Sequence, residues 1–87
     1  MKTIWKYELP MQEDVYLQMP EGAEVLSVGE QHGRLCLWAL VDDNACTEGR
    51  AFSIRGTGYP ADGVETQTHI GTVVTAGGAL VWHVFEQ

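Results

Sequence analysis

The chain has 87 residues and a formal net charge of −7, with 5 lysines and arginines against 12 aspartates and glutamates. This length predicts one domain, residues 1–87, that buries only somewhat more than about 60% of its unfolded surface, so oligomerisation is a natural source of further stability. The few cations argue against a DNA- or RNA-binding surface, and the longest apolar stretch, residues 35–41, is far shorter than the roughly 20 residues of a membrane span.

The first two predicted strands cover residues 2–9 and 14–19, where apolar and polar side chains alternate as in strands that bury one face. Pro10 ends the first strand because proline cannot donate to a sheet ladder. The residues predicted to point inward are Trp5, Tyr7 and Leu9 in the first strand, and Val15, Leu17 and Met19 in the second, with Tyr16 and Gln18 outward.

A β-hairpin is predicted over residues 23–31 and 34–41, with a two-residue turn at His32-Gly33. This turn sets Val28 opposite Leu37, Leu26 opposite Ala39, and Ser27 opposite Trp38. The face expected in the core carries Leu26, Val28, Leu35, Leu37, Ala39 and Val41. The other face carries Val25, Cys36, Trp38 and Leu40, with Ser27 and Gly29 leaving room for the indole ring. Because both faces are apolar, we expect this hairpin to lie between layers or against another subunit.

A fifth strand over residues 50–58 alternates Phe52 and Ile54 with Ser53 and Arg55, and residues 61–68 are predicted to be an exposed loop. A second hairpin follows over residues 69–75 and 79–86, with its turn at residues 76–78. If Gly77-Gly78 forms the turn, Val74 pairs with Val81, Thr72 with His83, and Ile70 with Phe85. His83 is then predicted on an inner face, and the opposite face carries Val73, Trp82 and Val84. Together these elements predict an all-β domain, a small antiparallel barrel or sandwich built from hairpins with little or no helix.

No residue pattern indicates a catalytic or metal site. His32 and Cys36 would lie roughly 13 Å apart in an extended strand, and the chain has no Cys-x-x-Cys or His-x-x-x-His pair. A hydrogen bond to the cross-strand Thr72 accounts for His83 without a catalytic role, and residues 42–44 are typical of a turn. We therefore expect a protein that is not an enzyme and holds neither a metal nor a cofactor.

Cysteine usage points to a reducing compartment. Cys36 falls in an apolar strand and Cys46 in the polar stretch 42–49, which predicts a buried thiol and a loop thiol rather than a disulfide. The sequence shows no signal peptide, so we expect the protein in the cytoplasm.

The segment Arg55-Gly56-Thr57-Gly58 is the strongest candidate for ligand binding. Its glycines allow backbone amides to face a ligand, and arginine offers a planar fork to phosphate or carboxylate. The alternative is a glycine-rich strand exit whose turn needs positive φ. Trp38, on the same strand face as Arg34, is a second candidate, because a ring beside a guanidinium can hold a nucleobase.

Five segments spread over nearly the whole chain resemble a family of short, uncharacterised proteins of tailed phages and prophages. They are KTIWKYEL at 2–9, GRLCLWALVD at 33–42, FxIxGTGxP at 52–60, IGTV at 70–73 and GGALVWHVFE at 77–86. The resemblance implies a phage or prophage gene that acts inside an infected bacterium. In size and in expected location and oligomerisation, the chain is similar to phage proteins that sequester the nucleotide signals of host immunity.

The sequence thus predicts a non-enzymatic phage accessory protein that binds a small anionic ligand of nucleotide type as a homo-oligomer in the host cytoplasm. The alternative interpretation is a protein–protein interaction module, either an inhibitor of a host factor or a minor structural or assembly component. It is supported by the second apolar face of the central hairpin and by the negative charge, which resembles a nucleic-acid surface.

Overall fold

Seven β-strands and two single-turn 3₁₀ helices form the secondary structure of the computed structural model, which describes residues 1–87. The strands are β1 (Lys2–Glu8), β2 (Asp14–Pro20), β3 (Glu24–Gln31), β4 (Arg34–Asp42), β5 (Thr47–Gly56), β6 (Thr68–Thr75) and β7 (Leu80–Glu86). The 3₁₀ turns are Val64–Thr66 and Ala76–Gly78. The all-β prediction is confirmed, although β5 begins and ends earlier than predicted.

Two antiparallel sheets pack face to face, one in the order β1-β4-β3 and the other in the order β2-β5-β7-β6. The sheets approach each other closely where β3 passes β6: a Cβ on Gly71 would lie 2.9 Å from the Cγ2 atom of Val28. No ladder joins the two sheets, so the domain is a sandwich and not a barrel. The structure contains no helix with the length and apolar character that a membrane crossing requires.

The core lies between the sheets and is built from the predicted apolar faces of the central strands. Its largest fully buried side chains include Phe52, Met19, Leu37, Val41 and Val84. Val15 and Met19 of β2 are buried while Tyr16 is 74% exposed, so the alternation predicted for this strand is confirmed. Trp5 is 41% exposed although the alternation of β1 predicts that it points inward, because β1 lies at the edge of its sheet.

The first hairpin has the predicted turn, with φ of 54° at His32 and 76° at Gly33. Val28 faces Leu37 and Ser27 faces Trp38 as predicted. The pairing of Leu26 with Ala39 is wrong, because a β-bulge between Val25 and Ser27 places Val25 opposite Ala39. The extra residue of the bulge is Leu26, which is 46% exposed instead of buried.

The second hairpin pairs Val74 with Val81 and Thr72 with His83 as predicted. The pairing of Ile70 with Phe85 is wrong, because a bulge between His69 and Gly71 places His69 opposite Phe85. The inner face was also assigned wrongly: Val73 and Val84 are buried, whereas Val74 is 54% exposed. Both faces of this hairpin carry apolar residues, so alternation alone does not determine which one meets the core.

Two small side chains complete the packing. Cys36 is buried and Cys46 is exposed, and both are free thiols, as predicted. Ser53 alternates with the core residues Phe52 and Ile54 along β5, yet it is also fully buried. The carboxamide of Gln87 donates a hydrogen bond to Ser53 Oγ at 3.2 Å, so this buried hydroxyl has a hydrogen-bond partner.

Candidate functional site

One end of the sandwich, where both hairpin turns meet the β1–β2 connection, contains two adjoining clefts. The first has a volume of about 200 Å³ and is lined by Glu13, Arg55, Gly56 and Tyr59, among others. The second has a volume of about 470 Å³ and includes Arg34 in its lining. Met11 and Trp82 line both clefts, so the indole of Trp82 stands between them.

Gly56 allows the aromatic wall of the first cleft to form. A Cβ atom at this position would lie 2.7 Å from the Cδ2 atom of Tyr59 and 3.1 Å from the Cζ3 atom of Trp82. Both rings therefore approach the backbone more closely than any other residue would permit. The indole is held in place because Trp82 Nε1 donates a hydrogen bond to Thr75 Oγ1 at 3.0 Å.

Arg55 contributes a poorly neutralised charge to the first cleft. Its side chain is only 14% exposed, and the nearest carboxylate oxygen, on Asp14, is 3.9 Å from Nη2. Nη1 donates hydrogen bonds to the carbonyl of Glu13 at 2.6 Å and to that of Ile54 at 3.1 Å. These carbonyls orient the guanidinium without cancelling its charge, so it remains able to attract an anion.

Arg34 lies beside the second cleft and is much more accessible. Its side chain is 70% exposed and forms a loose ion pair with Glu8 at 3.7 Å. Such exposed pairs contribute little energy, so Arg34 is free to turn towards a ligand. The structure thus places one arginine in each cleft, on the two sides of Trp82.

The other predicted site residues lie outside the clefts. Trp38 is on the outer face of the three-stranded sheet, where its ring covers Gly29; a Cβ there would be 3.3 Å from Trp38 Cζ3, so the room predicted beside Gly29 is confirmed. Four strand residues, roughly 13 Å, separate Trp38 from Arg34. Thr57 and Gly58 belong to the turn after β5, and Gly58 has the positive φ, 88°, that the strand-exit interpretation requires.

Sequence reasoning missed the aromatic residues of the clefts. Trp82 was predicted only to share a face of the second hairpin with Val73 and Val84, and Tyr59 was not predicted to belong to a site. The relevant signal is the pairing of β5 with β7, which sets Gly56 opposite Trp82. That pairing joins strands distant in sequence, so local patterns do not reveal it.

A chain of hydrogen bonds runs over the outer face of the four-stranded sheet. Thr57 Oγ1 lies 2.7 Å from His83 Nε2, and His83 Nδ1 lies 3.1 Å from Thr72 Oγ1, so the predicted contact of His83 with Thr72 is confirmed. With both ring nitrogens bonded, the imidazole ties the turn after β5 to β6 and β7. No group of three or more His, Cys, Asp or Glu side chains is arranged to hold a metal ion.

The fold and the clefts define a small β-sandwich with an aromatic, arginine-bearing recess at one end. The chain belongs to the family described as "Domain of unknown function (DUF7352)", whose family model matches residues 1–87. No curated protein and no solved structure matches the sequence. The expected likeness to an uncharacterised family over the whole chain is confirmed, and the phage origin remains a prediction.

Proposed function

We propose that the protein is a non-enzymatic binding module that holds a small planar anionic ligand, of nucleotide type, in the clefts around Trp82. The observation that supports this most directly is the position of Arg55. Its side chain is 14% exposed, the residue lines the first cleft together with Tyr59 and Trp82, and its nearest carboxylate oxygen is 3.9 Å away. An arginine so placed favours an anion that also offers a flat surface.

The chemistry of the lining matches the two parts of such a ligand. Tyr59 and Trp82 present ring surfaces on which a base stacks, and stacking contributes about 1–3 kcal/mol per base. The remaining donors of Arg55, with Arg34 in the second cleft, suit phosphate oxygens. Ligand pockets usually measure roughly 300–1,000 Å³. The second cleft, at about 470 Å³, falls within this range by itself, whereas the first, at about 200 Å³, is too small to enclose a nucleotide alone.

The charge distribution favours a small ligand over a polymer. The net charge of −7 repels an extended nucleic acid, whereas a ligand confined to the recess meets two arginines at close range. Glu13 also lines the first cleft, and its carboxylate suits a hydroxyl or amine on the ligand rather than a second phosphate. The proposal therefore concerns a ligand with one localised anionic group.

The resemblance to phage and prophage proteins extends this proposal to a biological role. The protein would act in the bacterial cytoplasm as a homo-oligomer that sequesters a nucleotide signal of host immunity. A native mass spectrum of protein purified from bacteria with active nucleotide-based immunity tests this extension. We expect an additional mass that is released on denaturation, and a ligand-free species would contradict the role as a sequestering protein.

The binding proposal is tested by thermal unfolding with AMP, GMP and their cyclic dinucleotides. A ligand that binds the folded state adds RT ln(1 + [L]/Kd) to its stability, so the melting temperature rises with concentration. We expect Arg55→Ala to weaken the affinity at least about tenfold, which corresponds to the loss of one charge-assisted contact of about 1.4 kcal/mol. Lys2→Ala is the matched control, because it removes one positive charge at the other end of β4 from the clefts.

Nucleotide binding that is equally strong in Arg55→Ala would contradict the assignment of the site. A protein-binding function is the second candidate, and the exposed apolar residues Tyr16 (74%) and Val74 (54%) favour it. In that case nucleotides leave the melting temperature unchanged, and capture of a host protein depends on Tyr16.

A further inference from the structure

The outer edge of β1 has backbone groups without partners. β4 is the single neighbour of β1. Leu9 donates its N–H to the carbonyl of Leu35, and Asp43 donates to the carbonyl of Met1, so odd-numbered residues direct their backbone groups towards β4. In an antiparallel ladder the alternate residues point the other way, which leaves the N–H and C=O groups of Lys2, Ile4, Lys6 and Glu8 facing outward.

We propose that this edge pairs with β1 of a second copy of the chain, antiparallel and with Trp5 on the two-fold axis. The pairing would join two three-stranded sheets into one continuous sheet of six strands. It rests on the edge of β1 and not on the clefts, so it is independent of the proposed ligand.

The charges along β1 select one register. The residues whose backbone N–H and C=O groups face outward must lie opposite one another in the two copies. A symmetric pairing centred on Trp5 therefore sets Lys2 opposite Glu8 on both sides of the axis. Centring the pairing on Ile4 would set Lys2 against Lys6 twice, and centring it on Lys6 would set Lys6 against itself. The register centred on Trp5 is also the longest of the three, since it pairs the whole of Lys2–Glu8.

The surroundings of β1 favour a second copy as its partner. Two of the 5 cations of the chain lie on this strand beside a single carboxylate, so β1 carries a net positive charge although the whole chain is acidic. Two copies that meet at β1 therefore avoid the repulsion between their acidic surfaces. Ile4 is 58% and Trp5 41% exposed, and pairing would cover both. The two Trp5 rings would form a non-hydrogen-bonded cross-strand pair, the arrangement in which side chains come closest.

The other edges of the two sheets are less suited to such pairing. β3 and β6 contain bulges, which interrupt a regular edge, and they pass close to each other. β2 ends at Pro20, which has no N–H group. β1 has neither a bulge nor a proline over its seven residues.

The experiment is sedimentation velocity at low ionic strength over a range of concentrations, with circular dichroism to confirm folding. We expect the wild-type chain to dimerise, and Lys2→Glu and Glu8→Lys each to weaken dimerisation at least about tenfold, because each sets like charges across both contacts. An equimolar mixture of the two variants restores the dimer, since the mixed pair again has opposite charges at both contacts. This recovery separates the proposed contact from the loss of the Glu8–Arg34 ion pair within one chain.

Cysteine crosslinking tests the register independently. In a Cys46→Ser background, Trp5→Cys forms a disulfide-linked dimer, because residues on the axis lie about 4.5 Å apart at Cα. Thr3→Cys does not, since it and its symmetry mate are roughly 13 Å apart along the strands. A wild-type monomer at all concentrations, a dimer insensitive to both charge reversals, or a dimer strengthened by Lys2→Glu would overturn the proposal.

Discussion

The two ends of the sandwich contain the same kind of side chain in opposite situations. Near the start of β5, Arg50 binds both carboxylate oxygens of Glu86, the longer contact at 3.0 Å, and donates to the carbonyl of Ala23 at 2.8 Å. Near the end of β5, Arg55 has only a 3.9 Å contact with a carboxylate and borders a cleft. A close carboxylate partner therefore gives Arg50 a structural role, and the lack of one leaves Arg55 able to bind a ligand. Burial does not distinguish the two arginines, because their side chains are similarly exposed.

The difference is also visible in the electrostatics. The hydrogen bonds that Arg50 donates to Glu86 raise the pKa of Arg50. The hydrogen bond from Arg50 to the carbonyl of Ala23 closes this end of the sandwich. At the other end Arg55 has no such close carboxylate, and the rings of Tyr59 and Trp82 approach the backbone of Gly56, where no side chain stands. The closed end and the core thus stabilise the fold, while the open end remains accessible.

The largest expected effect is on the core that supports both ends. Leu37→Ala removes a fully buried side chain, and we expect a loss of about 2–5 kcal/mol in the free energy of unfolding through cavity formation. Urea denaturation measures it, with Leu26→Ala as the control because Leu26 is 46% exposed in the bulge. Equal losses in the two variants would show that the core is not where the structure places it.

The next effect separates the two arginines. Arg50→Met leaves Glu86 without its partner, and we expect a loss of about 2–3 kcal/mol, below the value for fully buried pairs because the two side chains are 18% and 22% exposed. Arg55→Met leaves the carbonyls of Glu13 and Ile54 to be hydrated, so we expect only about 1 kcal/mol. Chemical denaturation of both variants checks the order, and the reverse order would contradict the comparison of the ends.

A smaller change tests the open end alone. In Gly56→Ala the new Cβ would lie 2.7 Å from the ring of Tyr59. This contact is too short, so the ring must move away, and it has room to do so because Tyr59 is 67% exposed. We expect a nucleotide affinity at least about tenfold lower, with a fall of a few degrees in melting temperature, corresponding to about 1 kcal/mol. Gly49→Ala, in the same strand at the closed end, is the matched control, since its Cβ would meet its nearest atom at an ordinary 3.6 Å. An equal reduction of the nucleotide affinity in both variants would contradict the assignment of the first cleft as the binding site.

The smallest effect concerns the turn after β4, at the closed end. The N–H of Asn44 donates to the Asp42 carboxylate at 3.0 Å and lowers the pKa of Asp42 below its ordinary value. A depressed folded-state pKa stabilises the protein above the unfolded pKa of about 3.9, and this stabilisation is lost as the pH falls through the folded value. Wild type should therefore be more stable than Asp42→Asn at neutral pH, and the difference should vanish in acid. Unfolding curves recorded from pH 7 to pH 2 measure this, and a difference that stays constant would contradict it.

The sequence was sufficient for features encoded by neighbouring residues. The His32-Gly33 turn, the alternation of β2, and the pairing of Val28 with Leu37 all follow from local periodicity and turn chemistry. The bulges at Leu26 and Ile70 could not be predicted in this way. Each position holds an apolar residue that fits the alternation of the strand, although it has no partner in the ladder of hydrogen bonds.

The candidate site was predictable only in part. Arg55 and Gly56 stand out in the sequence because glycine and arginine at a strand exit suggest a binding loop. Trp82 comes to Gly56 through the non-local pairing of β5 with β7, which no short-range signal indicates. Trp38 shares a strand face with Arg34, but strand parity does not show that β4 and β5 belong to different sheets, which keeps Trp38 away from Arg55.

The most direct test of the clefts as a binding site uses the three tryptophan indole N–H signals in a ¹H–¹⁵N correlation spectrum, assigned by single Trp→Phe variants. The spectrum is recorded while AMP, GMP and their cyclic dinucleotides are titrated into the wild-type protein and into Arg55→Ala. We predict that the signal of Trp82 moves with ligand concentration in the wild type and not in Arg55→Ala, while that of Trp38 stays in place. Movement of the Trp38 signal alone, or no movement of any indole signal with these ligands, would contradict the assignment of the clefts as a nucleotide-binding site.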